Sequence, residues 1–401
     1  MIKWNHAQVL PIGLDIGFES VKLIQCQVDG NTLRVVAAAR ASIPDNLRSD
    51  STARLQSAAA LVPKLLTQQP FVGRRIVACV PRNAVEIKNL RIPIIPADEL
   101  DQVVQFEARN LFGIEADQAI IQYIPAGEVR QGQETRQEII AFAAKNADIN
   151  SFLEVMNDTG TVIESLDIEP CAIFRSFERF MRRKEDEQDV QVIVDIGSRR
   201  TQVIIARGRE ISFYKSIDLG SSRLHEAVSK KLNISEEEAR GLRRRLMDAG
   251  DAGSESASRD RVRQAVIDAT RTPMEELGRE ISLCLRYYSV TFRGQRPSRV
   301  RIVGGEGNDT RLIASLNSTL TVPVESGRPL ANIDVSAMRA NDRSGSLSEW
   351  TLALGLALKT TKQTFAPLNG RSRAATPKPE PVVNSDPVEP QIPASAEVSV
   401  A

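Results

Sequence analysis

The sequence predicts an α/β protein built from two related halves, and three observations carry that reading. An apolar strand ending in Asp-Ile-Gly, a short polar turn and a returning strand occur twice, at Ile12–Leu23 and Val192–Val203. The second copy opens a new run of strands and helices 180 residues after the first, from Asp15 to Asp195. A chain of 401 residues is also too long for one core and fits two domains with additions.

Bulk composition narrows the function classes. Apolar residues make up 42% and charged residues 26%, as in soluble globular chains. Lys and Arg total 52 against 51 Asp and Glu, so no overall field draws the chain onto DNA or anionic lipid. Nucleic acid would need a broader basic footprint. No uncharged apolar run approaches the ~18 residues of a membrane span; Trp350–Leu358 and Leu312–Val324 fall short. The first eight residues lack the apolar stretch of an export signal. Cys26, Cys79, Cys171 and Cys284 have no paired spacing, and His6 and His225 are too few for a His-rich metal site. A cytoplasmic protein without zinc chemistry is expected.

Each element follows from local signals. Gln8–Val28 reads as strand, turn at Gly17 and strand, Leu33–Ala39 as a further strand and Ser51–Leu66 as a helix. Arg75–Val80 and Ala84–Ile92 are strands. Pro93 and Pro96 end the extended run, and Asp98 or a neighbour can cap a helix to Leu111, whose apolar Leu100, Val103, Val104, Phe106 and Leu111 roughly keep helical spacing. Strands Ala119–Pro125 and Gln137–Ala144 flank a polar turn over Gly127–Arg136. Gly160 closes a helix over Asp148–Asp158. Strand Val162–Ile168 and helix Cys171–Arg183 follow, and the charged run Arg182–Asp189 marks a solvated boundary.

The second half repeats the opening with strands Gln191–Asp195, Thr201–Arg207 and Glu210–Ser216. Arg-rich helices over Ser221–Lys231 and Glu236–Met247 precede a Gly/Ser/Asp-rich stretch, Gly250–Ser258, expected to be mobile. A long amphipathic helix from Arg259 to Phe292 meets only Pro273 as an interruption. Strand Arg299–Val303 runs into Gly304-Gly-Glu-Gly307, and a helix covers Arg311–Leu316. The last 36 residues, from Ala366, hold seven prolines and few large apolar groups, so a disordered tail is expected.

The two Asp-Ile-Gly hairpins share a chemical use. Turn N–H groups, with Gly beside them, admit a phosphate closely, and a carboxylate at the strand end can hold the water shell of Mg²⁺. Two such hairpins face to face grip a nucleotide's phosphates from both sides, and Lys22 adds a point charge. One Asp-Ile-Gly alone is an ordinary β-turn; two copies opening two similar halves favour the phosphate reading. The segment Ile302–Thr310 supplies glycines where a flat adenine or ribose can approach the backbone, though alone it is equally a strand–helix connection. Gly305–Thr310 imitates most of G-x-G-x-x-G without the acidic residue about 20 further on, which argues against a dinucleotide site. Leu358 stands where a P-loop would need Gly before Lys359-Thr360.

In this order the three segments resemble the phosphate-1, phosphate-2 and adenosine elements of the actin/Hsp70/sugar-kinase ATPase superfamily. Val21-Lys22, Ala141–Asp148, Leu166–Arg175 and Ile234–Leu242 narrow the resemblance to the type IV pilus assembly protein PilM family, relatives of the cell-division protein FtsA, over about residues 10–360. The resemblance implies an α/β, actin-like (ribonuclease H-like) two-domain ATPase fold with an inserted FtsA/PilM-type α+β subdomain. Residues 1–83 would start the first domain, 84–168 form the inserted strand-helix-strand-strand module, and 169–189 complete the domain and connect it. Residues 190–365 would form the second domain, helical over about 221–296, with 366–401 as the tail.

Carried over to this chain, the resemblance implies ATP and Mg²⁺ as cofactors. Asp15 and Asp195 would face Mg²⁺ through water. Gly17, Glu19 and Ser20 would line the first phosphate turn, with Lys22 reaching a phosphate oxygen. Gly197, Ser198, Arg199, Arg200 and Thr201 would form the second turn. Gly304, Gly305 and Gly307 would approach the adenosine, with Glu238 or Arg243 bordering the base. Glu169 is the candidate to orient an attacking water, or else a carboxylate at a helix start. Three residues depart from the family pattern: Phe18 replaces a small polar residue, Arg199-Arg200 a small polar stretch, and Glu306 a glycine. The Arg243–Arg245 run reads by itself as a solvated helix face, and His225 is assigned no chemistry.

The implied function is a cytoplasmic ATP-binding scaffold, at most a slow ATPase, in a type IV pilus or type II secretion-like inner-membrane platform. Its partner would be the N-terminal cytoplasmic peptide of a PilN-like inner-membrane protein, bound at the inserted module and bringing the scaffold to the membrane's inner face. Other platform proteins and self-association are in keeping with the family. Two readings stand beside it. A true ATPase or small-molecule kinase would need a catalytic Asp facing a sugar-sized cleft, and no convincing segment supplies one. A nucleotide-free structural platform protein would have lost phosphate-loop residues that are present here.

Overall fold

The computed structural model describes residues 7–30, 32–115, 118–248, 257–292, 296–343 and 345–361. These residues belong to one of the chain's two units, Met1–Gly370. Most of the Gly250–Ser258 stretch and the tail from Ala366 lie outside them.

The chain opens with β1 (Gln8–Val9), β2 (Ile12–Ile16), β3 (Ser20–Asp29) and β4 (Thr32–Ser42), then α1 (Asp45–Arg48), α2 (Ser51–Gln68) and β5 (Arg75–Cys79). It continues through β6 (Val85–Pro93), α3 (Leu100–Phe112), β7 (Ala119–Gln131), β8 (Glu134–Lys145), α4 (Asn146–Asn157), β9 (Val162–Asp167) and α5 (Glu169–Glu178). The second half holds β10 (Val190–Ile196), β11 (Thr201–Arg207), β12 (Glu210–Ile217), α6 (Ser221–Leu232), α7 (Glu236–Asp248) and α8 (Ala257–Phe292). It ends with β13 (Arg299–Gly304), α9 (Thr310–Thr319), β14 (Val324–Ser326), α10 (Ala340–Arg343) and α11 (Thr351–Ala357).

Two sheets have the same order. In the first, β4-β3-β2-β5-β9 runs from an antiparallel meander into two parallel strands, with the short β1 also on β3. In the second, β12-β11-β10-β13-β14 does the same. Parallel strands need crossover helices, which cover the faces and bury both sides. The strand residues alternate accordingly: Val192 and Val194 of β10 face a core with Leu277 and Ile281 of α8, and Ile193 faces one with Phe174 of α5. Pro273 does not interrupt α8.

The two sheets sandwich a central helix pair. α5 lays Ile173, Phe174 and Phe177 on the second sheet. α11 lies on the first, close enough that a Cβ on Gly13 would sit 2.0 Å from the Ala353 carbonyl oxygen. Each half therefore lends the other a helix, because α5 follows the first sheet in sequence and α11 follows the second.

A third sheet, β6-β8-β7, is wholly antiparallel and carries α3 on one face through Val104, Ala108 and Phe112. Its other face sets Ile124, Ala126, Ile140 and Phe142 against α5 and the second sheet. Its separate sheet spans Val85–Lys145, not 84–168. β9 pairs with β5 in the first sheet, and Phe152 and Met156 of α4 enter that sheet's core. The expected polar turn over Gly127–Arg136 is also shorter: β7 and β8 stay paired to Gln131 and Glu134, and Gly132, at φ +64°, makes the reversal. Exposed strand ends have a polar composition that reads like a loop. Helix Cys171–Arg183 is likewise shorter and earlier, ending at Glu178. Among the described residues no helix is long and apolar enough to cross a membrane, and the four cysteines are free.

Candidate phosphate-binding cleft

The repeated hairpins are the same object. In each, a four-residue loop joins strands in the same register, so Asp15 lies across from Lys22 and Asp195 across from Gln202. In each the Gly N–H closes the loop at 2.9 Å, Gly17 onto the Ser20 carbonyl and Gly197 onto the Arg200 carbonyl. The second loop is braced from behind: its Gly197 and Ser198 carbonyls accept from Ser221 and Ser222 at the start of α6, at 2.9 and 2.8 Å.

The loop tips meet. The Ser198 hydroxyl donates to Glu19 Oε1 at 2.8 Å, and Arg240 of α7 lies 3.6 Å from the same oxygen. Behind them Lys22 Nζ donates to Asp15 Oδ2 at 3.1 Å, both groups buried. Burial alone would lower the Lys22 ammonium, but Asp15, Glu349 and Asp195 outweigh it and hold it above its ordinary value. Glu349 itself pairs with Arg40 and lies 4.0 Å from Arg244.

Glu169, the first residue of α5, joins this group. Its Oε2 accepts from Gln202 Nε2 at 2.9 Å and lies 4.0 Å from Arg82 Nη1. Enclosure raises its carboxyl, Asp15 adds to the rise, and Arg82, Arg200 and Gln202 oppose it. Glu169 thus begins a helix and faces the cleft at once.

Asp195 lacks the cross-strand cation that Asp15 has. Enclosure, then Glu169 and Asp15, push its carboxyl up to about 7, with Lys22 only partly opposing. A folded-state value above the unfolded carboxylate's means that this group's stabilising contribution is full below about pH 4 and is lost as pH rises through about 7. In Asp195→Asn, stability should therefore fall less between about pH 5 and pH 8 than in the wild type. Urea unfolding at both pH values checks this; parallel pH profiles would contradict it.

The remaining expected site residues sort by position. Thr201 is fully buried, its hydroxyl donating to the Leu219 carbonyl at 2.7 Å. Arg200 pairs with exposed Asp218 at 3.1 Å, while Arg199 lies 4.3 Å from the centroid of the Phe18 ring. A Cβ on Gly304, at φ +85°, would sit 2.7 Å from Asp195 Oδ1, and one on Gly307 would strike Ser348 Oγ at 2.1 Å. Those two glycines allow close packing, and of the three Gly305 alone borders open space. Glu238 accepts from the Ser235 N–H and hydroxyl at 2.9 and 2.8 Å, capping α7 on the surface.

Arg243 is not on a solvated face. It is 3% exposed and forks onto both oxygens of Glu306 at 3.0 and 2.7 Å, with Asp309 at 3.1 Å. Glu306 therefore departs from the glycine pattern together with a matching cation. Burial, then Arg243 and Arg240, push the buried His225 down to about 3, so its ring is neutral and Nδ1 accepts from Arg243 at 3.2 Å. Sequence reasoning missed Arg54, Arg82, Gln202, Tyr214 and Glu349. Gln202 sits at the end of the second repeat, where its type carries no phosphate signal; the others lie in no motif, and only folding brings them together.

Duplicated β-sheets around a central helix pair, with paired hairpin loops meeting between them, define an actin-like fold. The chain belongs to the family described as type IV pilus assembly protein PilM, whose family model matches residues 13–361. A chain of a PilM-PilN type IV pilus biogenesis complex is similar, with 22% identity, a TM-score of 0.69 and coverage of 87% of this chain and 97% of that one. Ethanolamine utilization protein EutJ from Carboxydothermus hydrogenoformans shares 15% identity at a TM-score of 0.51, over 88% and 89% of the two chains. Cell division protein FtsA from Streptococcus pneumoniae serotype 2 is 19% identical over 276 residues, 64% of this chain. The match spans 59% of that FtsA's length.

Proposed function

We propose that this protein is an ATP-binding scaffold of a type IV pilus inner-membrane assembly platform. It would bind Mg-ATP between the hairpins and the N-terminal cytoplasmic peptide of a PilN-like membrane protein at the β6-β8-β7 module. The observation that carries the nucleotide reading is the meeting of two loops of the same length and register, Glu19 to Ser198 at 2.8 Å, beside Asp15, Lys22 and Asp195. The carboxyls of Glu169 and Asp195 are raised by burial and by their like-charged neighbours, with Lys22 only partly opposing at Asp195, which suits an added Mg²⁺ ion. Asp15 and Asp195 would hold it, and when bound it supplies charge neutralisation at the phosphates.

In that reading Lys22 turns from Asp15 to a phosphate oxygen, the second loop holds the other side of the phosphates, and Gly305 leaves room for the adenosine. Glu169 orients a water for at most slow hydrolysis. The two large sheets would be the two domains, and the peptide partner would bring the scaffold to the inner face of the cytoplasmic membrane. Family membership and the similar PilM-PilN complex support the partner.

A nucleotide-free platform has one observation in its favour: Glu19 on Ser198 and Asp15 on Lys22 satisfy the phosphate-binding groups internally. Calorimetric titration of Mg-ATP into wild type and Asp195→Asn separates the readings. Lys22 keeps its hydrogen bond to Asp15 when Asp195 is replaced, so the asparagine variant should fold and lose about tenfold or more in affinity. Phosphate release followed in parallel distinguishes switch from slow ATPase. No heat with wild type would leave the nucleotide-free scaffold. The PilN-like peptide, titrated with and without Mg-ATP, tests the partner and its coupling to the cleft.

A further inference from the structure

Helix α7 is built on the second half but reaches for the first. Ala239, Leu242 and Leu246 pack it against Val228 of α6 and Val266 of α8. Arg240 and Arg244, one turn apart, meet the first half instead. Arg240 Nε lies 3.6 Å from Glu19 Oε1, in the loop between β2 and β3, and its Nη1 lies 3.6 Å from Asp45 Oδ1 of α1. Arg244 Nη2 lies 4.0 Å from Glu349 Oε1. A Cβ on Gly345 would sit 2.8 Å from that Nη2 and 3.0 Å from that Oε1, so glycine there leaves the approach open. Glu349 is tied to the first sheet by Arg40 of β4.

Three acidic groups on one half thus meet two cations on a helix of the other. The contacts run from Glu19, at the tip of the first loop, to Glu349, whose charge acts on Lys22, so α7 spans the group around Asp15 and Lys22. At these distances they are ion pairs without hydrogen bonds, and all the partners but Glu349 keep more than a quarter of the side chain exposed. Such pairs are individually weak and are screened by salt. A permanent tie looks different: Arg243, on the same helix, is buried and forks onto Glu306. One arginine locks α7 to its own half, and two hold the other half loosely.

We propose that α7 is an electrostatic clasp: Arg240 and Arg244 hold the two halves together over the cleft before any ligand enters, and release of their ion pairs opens it. The halves then part about the α5–α11 crossing, whose backbone contact between Gly355 and Ala172 stays closed. The clasp controls access to the cleft and stands whether or not the ligand is a nucleotide.

Gln56 of α2 and Lys231 of α6 are exposed, one on each half. Gln56→Cys and Lys231→Cys place a spin-label pair in the full chain, and double electron–electron resonance reads their separation. The chain without these two substitutions corrects for labelling of the native cysteines. The clasp predicts one dominant short separation in dilute salt. With Arg240→Gln and Arg244→Gln together, the ratio of long to short separations should rise about threefold or more. Salt at about 1 M should do the same where both arginines are present and change the double variant little. Arg240→Lys keeps the charge and should stay closed, and Arg245→Gln is the control, an exposed arginine on the same helix. Separations indifferent to both the arginines and salt overturn the clasp. Opening in Arg240→Lys equal to that in Arg240→Gln assigns the contact to packing and overturns it. An equal shift in Arg245→Gln reduces the effect to the net charge of α7 and overturns it as well. If the double variant fails to fold by circular dichroism, the salt series on the chain with both arginines decides.

Discussion

Replacing Arg243 by alanine should lower the unfolding free energy by about 3–5 kcal/mol, the cost of breaking a buried ion pair from one side. The substitution leaves Glu306 and Asp309, both about as buried as the arginine, facing each other without a counter-charge. Asp309 is also the N-cap of α9, accepting from Arg311 N–H at 3.0 Å and Leu312 N–H at 3.2 Å, so the helix start is disturbed too. Arg243→Met combined with Glu306→Leu should recover part of the loss, since removing both charges also removes their desolvation. Urea unfolding followed by circular dichroism measures both. A single-variant loss under about 1 kcal/mol would show that water reaches the cluster.

Gly355→Ala should cost about 3 kcal/mol or more, or keep the chain from accumulating folded. A Cβ there would lie 1.7 Å from the Ala172 carbonyl oxygen. The obstacle is backbone of α5, which no rotamer change can clear. α5 and α11 would have to separate, opening the contact of Ala172 with Val77 and Leu356 that joins the two halves. The Arg175 guanidinium, which donates to the Gly355 carbonyl at 2.9 Å and to Asp167 at 2.8 Å, would be dislodged with them. Soluble yield and thermal unfolding check this. A variant melting within about 2 °C of wild type would overturn the close crossing.

Much of the fold was legible because its signals are local. Strand alternation, the Asp-Ile-Gly loops and the glycine at a helix end each act within a few residues. The repeat at Asp15 and Asp195 therefore marked both hairpins, and the ladder registers agree with it. What was misread has a physical cause. The solvated ends of β7 and β8 have a loop's composition, so a long hairpin looked like two short strands with a wide turn. Strand β9 resembles any short apolar run, and only its pairing with β5 assigns it to the first sheet.

The site divides the same way. The matching hairpin positions of Asp15, Gly17, Lys22, Asp195 and Gly197 were legible because each sits in a motif whose local geometry the motif itself imposes. The surroundings that set their charge were not. Glu349 acts on Lys22 from 327 positions away (Lys22 to Glu349), Gln202 holds Glu169 across 33, and Arg243 meets Glu306 across 63. By itself the sequence determined two like Asp-Ile-Gly hairpins on a duplicated α/β framework. Tertiary structure alone decided which charges are paired, which carboxyl keeps its proton to about pH 7, and that Arg54 and Arg199 share Phe18. The reason is range: backbone geometry is fixed by neighbours in sequence, whereas burial and Coulomb energy depend on distances that exist only after the halves have packed.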